Sequence, residues 1–258
     1  MTDEAPVRLG RVEDLRGLAL YELRVEEPER RVICVHGGLD RATSFSRVAR
    51  RLGRSHVLAY DRRGYQGSRP LGPGTLLQHA EDLALVARER APGATVVGHS
   101  FGGLVALVAS VLHPEYVSGV LCYESPVPWL VARPRTSAPD ASDPAGEAER
   151  FFRRVVSSEA WERLSEAERD SRHQDGPALV SDLSVLSDPE VVVDLSRSPV
   201  ETLYAFGDGP SEPYYRRLVD ALEAKNSLFG HQHVPGVGHG IHLSHPQTLA
   251  ALIFSLQS

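Results

Sequence analysis

Apolar residues come in short runs separated by polar, glycine-rich joints, and the rhythm of those runs predicts the elements. Residues 7–12 and 18–25 read as two opening strands, with Gly17 in the turn between them. In the second, Leu18, Leu20, Glu22 and Arg24 alternate with Ala19, Tyr21, Leu23 and Val25, the period of a pleated strand. From residue 31 onward, strand-like runs at 31–36, 55–60, 94–99, 117–123, 200–206 and 228–234 alternate with longer helical stretches. The helices are expected at 42–53, 75–91, 101–112, 213–226 and 245–257. Strand–helix alternation predicts parallel pairing with right-handed crossovers. Apolar runs without strict alternation, such as residues 117–122, fit strands covered by helices on both faces.

Residues 126–198 break the rhythm. Pro126, Pro128, Pro134, Pro139 and Pro144, with Ser, Ala and Asp between them, make a loop-like entry that includes 137–143. Helical patterns follow at 145–157, 159–172 and 176–186, with Phe151, Phe152, Val155, Val156, Trp161 and Leu164 as their apolar positions. The pattern therefore divides the chain into an α/β core, 1–125 and 199–258, and a helical segment, 126–198.

The densest chemical signal lies at the joint between the run 94–97 and the run 104–112, where the chain reads Gly98-His99-Ser100-Phe101-Gly102-Gly103. A serine framed by glycines between a strand and a helix fits the G-x-S-x-G nucleophile elbow. There the hydroxyl stands above the sheet, at a helix start whose N–H groups favour a developing negative charge. Taken alone, the same pattern also describes a plain glycine-rich turn. Three more blocks accompany it in order: His36-Gly37-Gly38 after a strand, residues 61–68 (DRRGYQGS) after the next, and Val237-Gly238-His239-Gly240 near the C-terminus.

Together these blocks resemble the α/β-hydrolase family, over nearly the whole chain and most weakly across 126–198. The resemblance implies an eight-stranded, mostly parallel sheet flanked by helices, with 126–198 as a helical cap inserted after the sixth strand. It implies Ser100 as nucleophile and His239 as the base that an unactivated hydroxyl requires. The backbone N–H groups of Gly38 and Phe101 become the oxyanion hole. His36 is expected to brace that loop, and residues 61–68 carry no catalytic role. Relatives commonly place the triad acid three residues beyond a glycine ending the seventh strand, but here that position is Pro210, with Asp208 and Glu212 on either side. Others place it one strand earlier, where Tyr123-Glu124-Ser125-Pro126 stands. Glu124 is the first choice, with Asp208 and then Glu212 as alternatives.

The implied activity is cleavage of a small acyl compound (a carboxylic ester, lactone or thioester) through an acyl-enzyme. Serine at the elbow argues against dehalogenation and epoxide opening. Carbon–carbon hydrolysis, cofactor-free haloperoxidation, thioester editing in natural-product assembly, and ligand reception with little turnover remain open. Trp129, Phe151, Phe152 and Trp161 are candidate pocket or cap-core residues, and Arg133, Arg135, Arg153 and Arg154 candidate anion contacts. No cofactor is implied. His231, His233, His242 and His245 lack a partner at metal-ligand spacing and read as solvent-facing or hydrogen-bonded bystanders.

Composition narrows the partners. The 258 residues are 41% hydrophobic and 24% charged, with a net charge of −6. That balance offers no electrostatic reason to bind nucleic acid or an anionic membrane; the partner that the resemblance implies is a small-molecule substrate. The start MTDEAP has neither the basic residues nor the apolar core of a signal peptide, and no apolar run approaches the ~20 residues of a membrane span; cytoplasmic residence is the expectation. Cys34 and Cys122 sit in strand-like runs and read as buried thiols. Lys225 is the single lysine against many arginines, which points to a GC-rich bacterial genome.

Overall fold

The computed structural model of the protein describes residues 9–132 and 138–256. Eight strands form one sheet: β1 (Gly10–Arg11), β2 (Leu20–Leu23), β3 (Arg30–Val35), β4 (Ser55–Tyr60), β5 (Ala94–His99), β6 (Val117–Tyr123), β7 (Thr202–Gly207) and β8 (Phe229–Val234). Their order is β1-β2-β4-β3-β5-β6-β7-β8. The pairs β1–β2 and β2–β4 are antiparallel, and every later pair is parallel.

Period-two alternation splits the core between the two faces of this sheet. Ile33, Val35, Leu58, Tyr60, Val96, Val120, Cys122, Tyr204 and Phe206 face helices α2 (Leu76–Arg90), α3 (Phe101–Leu112) and α8 (Glu212–Glu223). Val32, Cys34, Val57, Ala59, Val97, Leu121, Tyr123 and Ala205 face α1 (Ser46–Ala49), α9 (Ile241–Ser244) and α10 (Pro246–Ser255). The strands therefore read as continuous apolar runs because both faces are covered. Both cysteines are buried and free.

Among the described residues, four α-helices lie between β6 and β7: α4 (Pro144–Val155), α5 (Ser158–Glu162), α6 (Glu166–Gln174) and α7 (Gly176–Ser187). They enclose a small apolar cluster of Ala148, Phe152, Trp161 and Leu179 that also takes in Leu39, from the loop after β3. Polar contacts tie the same helices to the loop after β4: Gln66 N donates to Asp175 Oδ1 at 3.0 Å, and Arg69 Nε to the same oxygen at 2.6 Å.

Several expected boundaries shift. The first opening strand shortens to Gly10–Arg11, and residues 7–8 of its expected range lie outside the described residues. The expected helix 42–53 is a 3₁₀ turn, Ala42–Phe45, followed by the short α1. The expected helix 159–172 divides into α5 and α6, because Ser165 caps a new start: its hydroxyl takes the Glu168 N–H and the Glu168 carboxylate takes the Ser165 N–H. This reciprocal capping box starts a helix wherever it forms. The expected helix 245–257 is α10, and the short α9 stands before it as an additional element; His245 separates the two, since proline disfavours helical geometry in the residue before it.

The elbow explains its own glycines. A Cβ on Gly98 would lie 2.3 Å from Gly103 Cα, and one on Gly102 2.2 Å from the Val35 carbonyl oxygen. Gly98→Ala should therefore lower the stability measured by urea unfolding by about 3 kcal/mol, the upper range for overpacking against rigid neighbours. Gly230→Ala, where a Cβ would meet nothing within 4 Å, should stay within about 0.5 kcal/mol of the parent. Equal effects at the two positions would show that close approach is not what glycine provides at the elbow.

Candidate active site

The candidate residues gather at the carboxyl ends of the parallel strands, where open α/β sheets have a crevice outside their strand tips. Ser100 follows β5 directly, at φ 54° and ψ −125°, a backbone region that an L-residue occupies only under constraint. Its N–H bonds to the Tyr123 carbonyl at 2.9 Å, and it is half-buried at the head of α3. A Cβ on Gly37 would lie 3.0 Å from Ser100 Cβ. The loop after β3 is thus pressed against the serine, which brings Gly38 beside it.

Glu124 follows β6, also with positive φ (47°). Its N–H bonds to the Ala205 carbonyl at 2.9 Å, and its own carbonyl accepts from the Tyr215 hydroxyl at 3.0 Å. Held from both sides, the side chain turns toward the sheet edge. Oε1 accepts the Gly207 N–H at 3.1 Å, and Oε2 lies 2.6 Å from His239 Nδ1. An ionised carboxylate only accepts, so Nδ1 carries the proton and Nε2 is left with a free lone pair. His239 is itself held in place: its carbonyl takes the Nε2–H of His99 at 2.8 Å, and the two rings sit 4.6 Å apart between centroids. His99 immediately precedes Ser100, so the loop that carries His239 is tied to the elbow.

The alternative acids are engaged elsewhere. Asp208 accepts from His233 Nε2 at 2.8 Å and from the Gly236 N–H at 2.6 Å. Those two contacts, the backbone one foremost, hold its carboxyl below the usual range. Glu212 pairs with Arg216 Nη2 at 2.7 Å.

His36 is a buried brace. Nδ1 donates to the Gly37 carbonyl at 2.7 Å, while Nε2 accepts the Arg62 N–H at 2.9 Å. Both ring nitrogens are used in the neutral form, and burial, followed by the Arg62 charge, pushes its pKa down to about 3. Arg62 lies fully buried against this loop, paired with Asp182. Neither residue stood out in the sequence: the basic pair Arg62-Arg63 gives no sign of burial, and Asp182 lies in a helix with no special spacing.

The other histidines diverge. His231 pairs with Glu223 at 2.6 Å, and His245 Nδ1 lies 2.9 Å from Ser244 Oγ, both exposed. Of the two expected roles, solvent-facing or hydrogen-bonded, His242 does not take the first: it is buried, stacks on Phe45 at 5.0 Å, and lies 3.2 Å from Asp40. Among the described residues, Asp40, His99 and His242 bring ligand atoms within 4.8 Å of one another, as do Asp208, Glu212 and His233.

The aromatic and basic candidates separate in the same way. Phe152 and Trp161 are buried in the small cluster, and Trp129 packs against the main core with its indole N–H on the Val193 carbonyl at 3.1 Å. Phe151 faces the loop after β3, its Cζ 3.7 Å from where a Gly38 Cβ would stand. Arg153 is paired with Glu149 and Glu162, and Arg154 lies over Phe151 at 5.5 Å. Arg133 and Arg135 lie outside the described residues.

A family model described as the alpha/beta hydrolase family matches residues 32–252. The chain belongs to the α/β-hydrolase family. Within it, this α/β hydrolase is 25% identical over 253 residues to a pimeloyl-[acyl-carrier protein] methyl ester esterase of Serratia marcescens, covering 91% of this chain and 96% of that one. It is 30% identical over 122 residues to Lipase LipV of Mycobacterium tuberculosis, a match to 45% of this chain and about half (47%) of that lipase. A solved structure described as Est816, an N-acyl homoserine lactone degrading enzyme, shares the fold with a TM-score of 0.71 at 19% identity, covering 96% of this chain and 100% of that one. No helix among the described residues is long and apolar enough to cross a membrane.

The buried histidines set an acid limit on this α/β hydrolase. Burial first, then the Arg62 charge beside His36 and His79 and the His242 and His239 rings beside His99, lower the three from an ordinary value of 6.5. Below pH 6.5 the unfolded chain takes up protons that the folded chain refuses. Their contribution is therefore complete above 6.5 and lost as pH falls, for His36 down to about 3. Unfolding free energy measured in urea should decline from pH 6.5 to 5 by up to about 1.4 kcal/mol per pH unit for each histidine. A flat profile across that range would contradict their burial as neutral groups.

Proposed function

We propose that the protein hydrolyses small carboxylic esters or thioesters through an acyl-enzyme on Ser100. The observation that carries this reading is the 2.6 Å hydrogen bond from His239 to the buried Glu124 at the rim of the elbow. It fixes the tautomer with the proton on Nδ1, which leaves Nε2 as the basic nitrogen. Full-length similarity to methyl ester esterases supports an ester as the bond attacked.

In the first half-reaction Ser100 Oγ adds to the substrate carbonyl while its proton passes to His239 Nε2. The carbonyl oxygen becomes an oxyanion, accepted by the N–H groups of Gly38 and Phe101. Such donors contribute about 3 kcal/mol each to the transition state. Collapse breaks the bond to the alcohol or thiol, which leaves with the proton from His239, and the acyl group stays on Ser100. Water then attacks this ester, His239 takes its proton and returns it to Ser100 Oγ, and the free acid departs. Glu124 orients the imidazole and stabilises its cationic form. The helices of 126–198 act as the cap, with Leu39, Leu179 and Phe151 giving the oxyanion loop an apolar cover, suited to an uncharged acyl chain.

Two measurements test the reading. A fluorophosphonate should add to Ser100, seen by intact mass and peptide mapping, and Ser100→Ala should abolish both labelling and turnover of short p-nitrophenyl esters. Glu124→Gln should lower kcat by about 10⁴, as loss of the orienting acid does in such triads, while Asp208→Asn leaves kcat near the parent value. The reverse ranking would move the acid to Asp208.

A further inference from the structure

Arg62 is a fully buried cation beside the oxyanion loop, and its five N–H groups face five acceptors. Nε donates to the His36 carbonyl at 2.9 Å and Nη2 to the Gly37 carbonyl at 3.2 Å. The outer edge makes a bidentate pair with Asp182, Nη2 to Oδ2 at 2.5 Å and Nη1 to Oδ1 at 3.2 Å. Nη1 also lies 3.2 Å from His79 Nε2. The guanidinium plane sits between the rings of Tyr65 and Phe101, 4.8 Å from each centroid. Arg62 therefore touches both residues that flank the oxyanion site: Gly37, whose peptide leads to the Gly38 N–H, and Phe101, the other donor.

The direction of the Gly38 N–H follows from these contacts. The described peptides are all trans, so the N–H of Gly38 points opposite to the carbonyl of Gly37. That carbonyl is drawn outward by two donors, Arg62 Nη2 and His36 Nδ1, which leaves the N–H facing the other way. What holds Arg62 is Asp182, which belongs to α7 and not to the sheet. Its carboxylate is 2% exposed and also accepts the Tyr65 hydroxyl at 2.6 Å. Burial, the largest single effect, would raise its pKa, but the Arg62 charge and the hydrogen bonds made to the carboxylate together outweigh it and hold the carboxyl well below its usual range. Beside it, Leu179 of the same helix packs on the loop, 3.0 Å from where a Gly38 Cβ would stand.

We propose that Asp182 is a positioning residue for the oxyanion hole: through Arg62 it aims the Gly37–Gly38 peptide, so the seating of α7 sets the geometry of transition-state stabilisation. The inference rests on Ser100 being the nucleophile and Gly38 an oxyanion donor. Without Asp182, an unpaired charge would be left buried, and the guanidinium would shift toward other acceptors, releasing the Gly37 carbonyl. Ground-state substrate makes little use of the hole, whereas a tetrahedral adduct depends on it.

The test compares wild type and Asp182→Asn in the full chain, reading kcat and KM on a p-nitrophenyl ester and inhibition by phenylboronic acid, whose serine adduct is tetrahedral. The variant should lose about 10- to 100-fold in kcat, within the range for a disturbed oxyanion donor. Boronate affinity should fall in step, with KM within about threefold. A folded variant that keeps both kcat and boronate affinity overturns the proposal, as does one that loses kcat with boronate affinity intact. Should Asp182→Asn fail to fold, Tyr65→Phe removes one hydrogen bond from the same carboxylate and leaves the ion pair. It should show a parallel, smaller loss in both readouts, and parity with wild type in both refutes the coupling. A wild type inert to esters and to fluorophosphonate would overturn the hydrolase reading and this inference with it; an active wild type with an indifferent Asp182→Asn overturns this inference alone.

Discussion

Helix α3 leaves the sheet at a separation set by hydrogen atoms instead of methyl groups, because Gly98 faces Gly103 and Gly102 faces the Val35 carbonyl. At that separation the chain can pass from strand to helix within one residue, and that residue must take φ 54°. A strained backbone of this kind costs about 1–3 kcal/mol. What offsets it is burial: residues 101–110 of α3 are all buried, and each large apolar side chain among them contributes about 1.5–3 kcal/mol. The serine is thus held in an unfavourable conformation by a helix too well packed to move.

The sheet then places the other groups by its own ladder. Ser100 N–H bonds to Tyr123, and Glu124 N–H bonds to Ala205, so the elbow and the buried acid sit on successive rungs at neighbouring strand ends. Parallel pairing points every carboxyl end the same way, which brings the loop after β3, the elbow, Glu124 and the loop carrying His239 to one rim. Among the described residues, six non-glycine residues have positive φ, and three of them (Leu39, Ser100 and Glu124) lie at this rim. Strain is concentrated where side chains must be aimed.

Most of the fold was legible because two simple signals agreed: apolar runs of strand length, and glycines or prolines at the joints. Strands β4, β5 and β6 and helix α3 match the residues read from the pattern. The failures have local causes. Ser165 and Glu168 look like ordinary polar helix positions until their side chains are seen to close a capping box, and Ala42–Phe45 carries too few residues for periodicity to separate a 3₁₀ turn from a helix. Within the candidate site, the serine and histidine blocks were plain from their glycine frames. The choice between Glu124 and Asp208 was open because both follow a strand tip; only the contacts separate them, Asp208 turning to Gly236 and His233. Burial of His242, Arg62 and Asp182 left no mark on the sequence, since a charged or imidazole side chain in a helix or loop reads as solvent-facing.

The buried polar groups around Arg62 do what an apolar core could not. Leu179 and Phe151 fill space over the loop after β3, but dispersion has no direction, and a methyl group cannot tell one orientation of a peptide plane from its flip. Hydrogen-bond donors can. His36 and Arg62 together use three N–H groups on two successive carbonyls, and Arg62 in turn needs the Asp182 carboxylate to remain where it is. Replacing such an ion pair by apolar residues of equal volume is often neutral for stability. Its value in this fold lies in orientation: a charge-assisted chain that begins on a helix outside the sheet and ends on the peptide facing the serine.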